Sequence, residues 1–148
     1  MSIKALDTAI RLDPTDAGAW NNKGVLDQVA SQNIRNSLSY YDKALEIDPD
    51  YTPAMINKGF VIMEIWGLFS PLGVRNDDFN ETMDKEADAL FIRAAMIEPD
   101  NPAALYARSY APGGEGAFSK AVSLDPELGK RRNLTRIVYL KYIMRHSQ

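Results

Sequence analysis

The side chains able to do chemistry in this chain are few, and their spacing argues against most reactions. His146, near the C-terminus, is the one histidine, and there is no cysteine. The usual serine–histidine and cysteine–histidine nucleophile arrangements cannot be built from that set. The lack of cysteine also removes disulfides and thiolate metal sites, and it fits a reducing compartment. Asp77, Asp78, Asn80, Glu81 and Asp84 form an acidic cluster, but without the spacing or central glycine of a calcium loop. Gly113-Gly114-Glu115-Gly116 precedes a helical pattern. It lacks the Gly-Lys-Ser/Thr ending of a phosphate loop and follows no strand, so a shortened inter-helix turn is expected. Asn80-Glu81-Thr82 and Asn133-Leu134-Thr135 match the glycosylation acceptor pattern. Residues 1–7 carry no apolar signal-peptide core, so both are expected to be chance matches. No catalytic residue, metal or cofactor is expected, and the chain is expected not to be an enzyme.

Charge is distributed unevenly. Residues 1–126 carry 11 Lys/Arg against 19 Asp/Glu, and residues 127–148 carry 6 against 1. The basic end, with Tyr139 and Tyr142, has the side chains to contact phosphates and stack on bases, but the acidic body would repel the same backbone. Nucleic acid is therefore not the expected partner. The longest apolar stretch, residues 54–69, is broken by Asn57, Lys58 and Glu64 and is too short to span a bilayer. A cytoplasmic location is expected.

The elements that position these residues follow from one recurring phrase. Residues 40–59 read as the end of a helix, a turn and the start of another. Tyr41, Ala44, Leu45 and Ile47 sit at helical spacing. Asp48-Pro49 stops the helix, because proline disfavours helical geometry in the residue before it. Thr52-Pro53 restarts it, with the threonine hydroxyl expected as a cap. The stop recurs as Leu12-Asp13-Pro14, Ile47-Asp48-Pro49, Ile97-Glu98-Pro99 and Leu124-Asp125-Pro126, at spacings of 35, 50 and 27 residues. Before each stop a larger apolar residue and an alanine hold fixed offsets: Leu6 and Ala9, Tyr41 and Ala44, Phe91 and Ala94, Phe118 and Ala121. After it, residues 19–24 align with 54–59 through a shared Asn-Lys-Gly, and more loosely with 104–109. Paired helices stacked in a row explain this pattern. Small residues mark close helix approaches and large ones fill the gaps beside them, and one pair cannot bury its apolar face alone.

The pattern resembles the tetratricopeptide repeat family, whose unit is about 34 residues with a tryptophan–glycine first helix and an alanine–aromatic–alanine–proline second helix. The resemblance implies an all-α, right-handed α-solenoid of helix–turn–helix repeats with a C-terminal capping helix. The chain divides into a half repeat (2–14), repeat one (17–50), repeat two (52–100, with an insertion at 67–85), a shortened repeat three (102–126) and a cap helix (127–146). Helices are expected at about 2–12, 17–30, 34–47, 52–66, 84–97, 102–110, 116–124 and 128–146.

The resemblance also implies a binding face. In that family the first helices line a concave groove that receives a segment of another protein. By position the lining is Asn21, Asn22, Val25, Gln28 and Val29 from repeat one, Ile56, Asn57, Phe60, Met63 and Glu64 from repeat two, and Tyr106 and Tyr110 from repeat three. Asn22 and Asn57 match the family's groove asparagine, whose amide both donates and accepts and so pairs with any peptide unit. Ile56, Phe60, Met63, Tyr106 and Tyr110 are expected to be exposed together as an apolar patch. The positions of a carboxylate clamp hold Asn21, Val25, Ala103 and Ala107, so a ligand is held by apolar contact. The expected function is protein–protein interaction or scaffolding with an apolar or amphipathic segment. The alternative is self-association into a homo-oligomer through exposed end helices.

Overall fold

The computed structural model describes residues 3–30, 34–65 and 81–131, and all the regular structure there is helical. The helices are α1 (Ile3–Leu12), α2 (Ala17–Ala30), α3 (Ile34–Ile47), α4 (Thr52–Ile65), α5 (Glu81–Ile97), α6 (Pro102–Arg108), α7 (Ala117–Leu124) and α8 (Glu127–Arg131). Most of the expected insertion (67–80) and the tail beyond residue 131 lie outside the described residues. So do Asp77, Asp78, Asn80 and His146. α5 begins three residues earlier than its pattern suggested, and α6 ends two residues sooner.

The four stops share one backbone geometry. The amide of the acidic residue donates to the alanine carbonyl four positions back: Asp13 to Ala9 (2.8 Å), Asp48 to Ala44 (2.9 Å), Glu98 to Ala94 (3.0 Å) and Asp125 to Ala121 (2.8 Å). The proline behind each acid has no amide hydrogen, so the next rung is missing. The amide three residues on then bonds the acid's own carbonyl, from Asp16, Tyr51, Asn101 and Leu128. At the three aspartates the side chain also accepts the amide two positions on, from Thr15, Asp50 and Glu127. The glutamate is a methylene longer. It instead accepts from the Asn101 side chain, which in turn caps α6 through Ala103 N at 2.8 Å. Thr52 does not cap. It is the first residue of α4, and its hydroxyl turns back to the Asp50 carbonyl.

Successive helices pack on one another along the whole described chain, and α2 with α4 and α4 with α6 also touch. The glycines explain how closely the pairs approach. A Cβ on Gly24 would stand 2.7 Å from Cε1 of Tyr41, and one on Gly59 would meet Cε1 of Phe91 closer still. Each aromatic ring thus lies against the backbone of the helix before it. Tyr41 and Phe91 are fully buried, as are Ala44, Ala94 and Ala121. One core cluster runs from α4 to α8 around Phe60, Phe91, Tyr106 and Leu128. A smaller one joins Val25, Tyr41 and Val61. In the third pair Ser109 stands in the glycine position. There the turn is closed by Arg108, whose Nη1 donates to the Ala111 carbonyl at 3.0 Å. Gly113 holds a φ of +73°, which suits glycine.

Candidate partner-binding face

Helices α2, α4 and α6 carry the residues that would line a groove, and their stop geometry gives them the same register. Asn57 Nδ2 donates to Asn21 Oδ1 at 2.9 Å, a buried amide pair crossing from α4 to α2. Asn21 Nδ2 reaches Asn22 Oδ1 at 3.4 Å. Asn57 Oδ1 is buried and has no hydrogen-bond partner among the described residues. A buried amide oxygen left without a donor costs about 1–3 kcal/mol. Gln28, also buried, accepts the Tyr41 hydroxyl at 2.8 Å, and Val25 belongs to the core between α2, α3 and α4.

The apolar half of the face is an aromatic cluster. Phe60 meets Tyr110 edge-on with ring centroids 5.5 Å apart, and Tyr106 meets Tyr110 at 5.4 Å. The Tyr106 and Tyr110 hydroxyls are 2.9 Å apart. Phe60 packs against Phe91 at 4.9 Å and Tyr106 against Phe118 at 6.1 Å.

Exposure differs from the expectation. Ile56 is 2 %, Phe60 4 % and Tyr106 6 % exposed, so these three are core rather than an open patch. The reason is packing across units: α4 touches α2 and α6 as well as α3 and α5, and sequence spacing alone does not count those neighbours. Asn21, Val25, Gln28 and Asn57 are buried as well. Tyr110, at 37 %, is exposed, while Asn22, Met63 and Glu64 are half-buried. Of the expected lining, Asn22, Val29, Met63 and Glu64 are therefore half-buried and Tyr110 is exposed, and the others are buried.

A second recurring feature lies on the same helices and had a readable signal. Lys23 in the first Asn-Lys-Gly pairs with Asp7 on α1 at 2.6 Å. Lys58 in the second pairs with Asp42 on α3 at 2.8 Å and with Glu86 on α5 at 2.5 Å. Asp7 and Asp42 both stand six residues before a stop, so the two pairs are one contact repeated 35 residues apart. Burial alone would lower the Lys58 pKa, but hydrogen bonds to Asp42 and Glu86 outweigh it and raise it above the ordinary lysine value. Asp7 likewise raises Lys23. The third unit has Arg108 and Ile92 at these positions, and the contact is replaced. Trp20 Nε1 donates to the Pro14 carbonyl at 2.9 Å and the ring stacks on Tyr40 at 6.2 Å, which locks α2 to the first stop and to α3.

The remaining chemistry is sparse. Among the described residues no group of three or more histidine, cysteine or acidic side chains comes together to hold a metal. No described helix is long and apolar enough to cross a membrane. The glycine-rich turn uses its amides internally: Gly114 donates to Ala111 and Ala117 to Gly114. No family model matches the chain, and no curated protein is similar to it in sequence.

Proposed function

We propose that this chain is a helical-repeat interaction module of the tetratricopeptide kind, which binds a segment of a partner protein along the face formed by α2, α4 and α6. The observation that carries the reading is recurrence in three dimensions. Four stops share one hydrogen-bond pattern, two glycines share one aromatic contact, and two lysines share one aspartate contact. Stacked units of that sort present their first helices as a continuous surface. Asn22 and Tyr110 support the location of the site, because they stand on and beside the first helices with side chains that solvent reaches. Recognition then combines a backbone bond to the Asn22 amide with apolar contact to the Tyr110 ring, and no side chain is assigned a catalytic step.

The test uses a partner captured from the source cell and purified. Asn22→Ala with Tyr110→Ala alters that face and leaves Phe60 and Asn57 in place. The expected result is a large loss of affinity with the helical circular dichroism unchanged at the assay temperature. Equal affinity for the variant would move the site off this face.

A second reading, self-association, has one observation in its favour. Ala44, Ala94 and Ala121 are fully buried, but their counterpart Ala9 is half-exposed. Among the described residues no helix covers that position of α1 as its counterparts are covered. Light scattering across a concentration series would show a dimer under this reading and a monomer otherwise.

A further inference from the structure

The four stops carry exposed side chains that packing does not account for. The residue before each acid is leucine or isoleucine: Leu12, Ile47, Ile97 and Leu124. Leu12 is 74 %, Ile97 39 % and Leu124 47 % exposed, and Ile47 is half-buried. Met96, beside Ile97, is 76 % exposed. Single exposed apolar residues are ordinary, but residues at one position of the unit, on turns that adjoin, form a row. The contacts between turns are direct. A Cβ on Gly18 would stand 3.1 Å from Asp16 Oδ1 and 3.3 Å from the Tyr51 hydroxyl, so the second stop lies against the first turn of α2. Arg93 Nη2 of α5 reaches Asp50 Oδ1 at 2.7 Å. Lys120 Nζ of α7 reaches Asp100 Oδ1 at 3.0 Å and donates to the Pro99 carbonyl at 2.9 Å. Burial and then Asp16, Asp48 and Glu98 raise the pKa of the Tyr51 hydroxyl, so three successive stops face one phenol.

The row is flanked by charge of one sign. Residues 12–16, 47–51, 97–101 and 124–128 hold eight acids and no base. Arg93, Lys120 and Lys130 reach three of those acids, Asp50, Asp100 and Glu127, which leaves negative charge in excess. We infer that this edge is a second interaction surface, which docks a segment of another protein whose apolar side chains are interleaved with lysine or arginine. The apolar row supplies burial, and the carboxylates beside it favour basic side chains over acidic ones and speed encounter. The described helices of a second copy fit the edge less well, because Lys23, Lys43, Lys58, Lys120 and Lys130 are already in ion pairs. The edge is also separate from the face proposed above. The first three stops precede the N-termini of α2, α4 and α6, whereas Tyr110 follows the C-terminus of α6. The inference therefore does not depend on the groove.

The probe is a synthetic peptide alternating leucine with arginine, with serine–arginine and leucine–glutamate peptides as controls. The full chain should bind the first about tenfold more tightly than either control, and the affinity should fall as salt is added. The peptide should shift the methyl resonances of Leu12, Ile97 and Leu124. Leu12→Ser with Ile97→Ser and Leu124→Ser should weaken binding about tenfold, whereas Tyr110→Ala should not change it. Should the triple variant lose helical circular dichroism, Met96→Ser, which alters one side chain outside the core, should still weaken binding. No preference for the leucine–arginine peptide over the serine–arginine one would overturn the inference. So would equal binding by the folded variants, or methyl shifts at Ile56 and Met63 in place of the row. Shifts of Leu12, Ile97 and Leu124 on raising the chain concentration without peptide would overturn it in favour of a second copy. A failure of the Asn22 and Tyr110 variant to weaken partner binding would overturn the groove reading without touching this result.

Discussion

The junction between α2 and α4 and the junction between α4 and α6 occupy equivalent places in the chain and are held by different physics. The first is polar at its centre, with the amide pair Asn21–Asn57 buried and directional. The positions equivalent to that pair in the second junction are Ile56 and Ala107, both buried in the apolar cluster with Phe60 and Tyr106. The lysine contacts divide the same way. Lys23 and Lys58 reach back to the preceding unit, whereas Arg108 folds onto its own turn at Ala111. A directional hydrogen bond specifies which residues oppose each other, whereas an apolar contact rewards area and tolerates sliding. The first junction thus sets register and the second supplies burial.

The sharpest way to break this contrast is to remove volume from the apolar side. Phe60→Ala takes a ring out of contact with Phe91, Tyr106 and Tyr110. A loss of about 3–5 kcal/mol is expected, as for truncating a buried aromatic. Urea unfolding measures it, and a loss below about 1 kcal/mol would mean that the cluster adds little beyond filling space.

The polar junction should answer differently to single and double changes. Asn57→Leu leaves the Asn21 oxygen buried without its donor, at a cost of about 1–3 kcal/mol. Asn21→Leu with Asn57→Leu removes both partners and should recover most of that loss. The double-mutant cycle then gives the coupling directly. Additive losses would show that the amides act independently. If the pair sets register, the double variant should also gain stability at the expense of a single well-ordered state, seen as broadened amide resonances.

Much of the fold was legible because its signals are local. Asp-Pro and Glu-Pro fix a stop whatever surrounds them, so α2, α3 and the end of α5 fall where the stops put them. Tyr41, Phe91 and the alanines after them were legible as core because a second helix shows one apolar face. The first helices were misread in exposure. The resemblance puts Ile56, Phe60 and Tyr106 on an open concave face, and packing between units buries them instead. The crossing from Asn57 to Asn21 depends on how α4 is rotated against α2, which no spacing within either helix reveals. The lysine–aspartate pairs are the opposite case: Asp7 and Asp42 share an offset from their stops, so that contact was readable from the chain.

Alkaline pH separates the two junctions by charge. Lys58 has its pKa raised in the fold, where Asp42 and Glu86 outweigh burial. A group raised on folding stabilises fully below its unfolded value and loses that contribution as pH climbs through the folded one. Tyr51 adds the same sign, since burial raises its hydroxyl, with Asp16, Asp48 and Glu98 nearby. The thermal midpoint should therefore hold from neutral pH to about pH 10 and fall above it. Arg108 does not titrate in this range. Lys58→Arg should flatten the part of the fall that belongs to that lysine, and an unchanged profile would assign the effect to Tyr51 and Lys23.

The smallest effect should come from the ion pairs themselves. Asp42→Asn leaves Lys58 paired with Glu86, and the Asp42 side chain is half open to solvent. Exposed pairs contribute about 0.2–1 kcal/mol, and salt screens them. A loss within that range is expected at low ionic strength and should shrink as salt is added. Asp7→Asn removes the one carboxylate found beside Lys23 among the described residues, so its loss should be the larger of the two. Should Asp42→Asn cost more than the Asn57→Leu change, register at the first junction would be set by charge on its flank rather than by the amides at its centre.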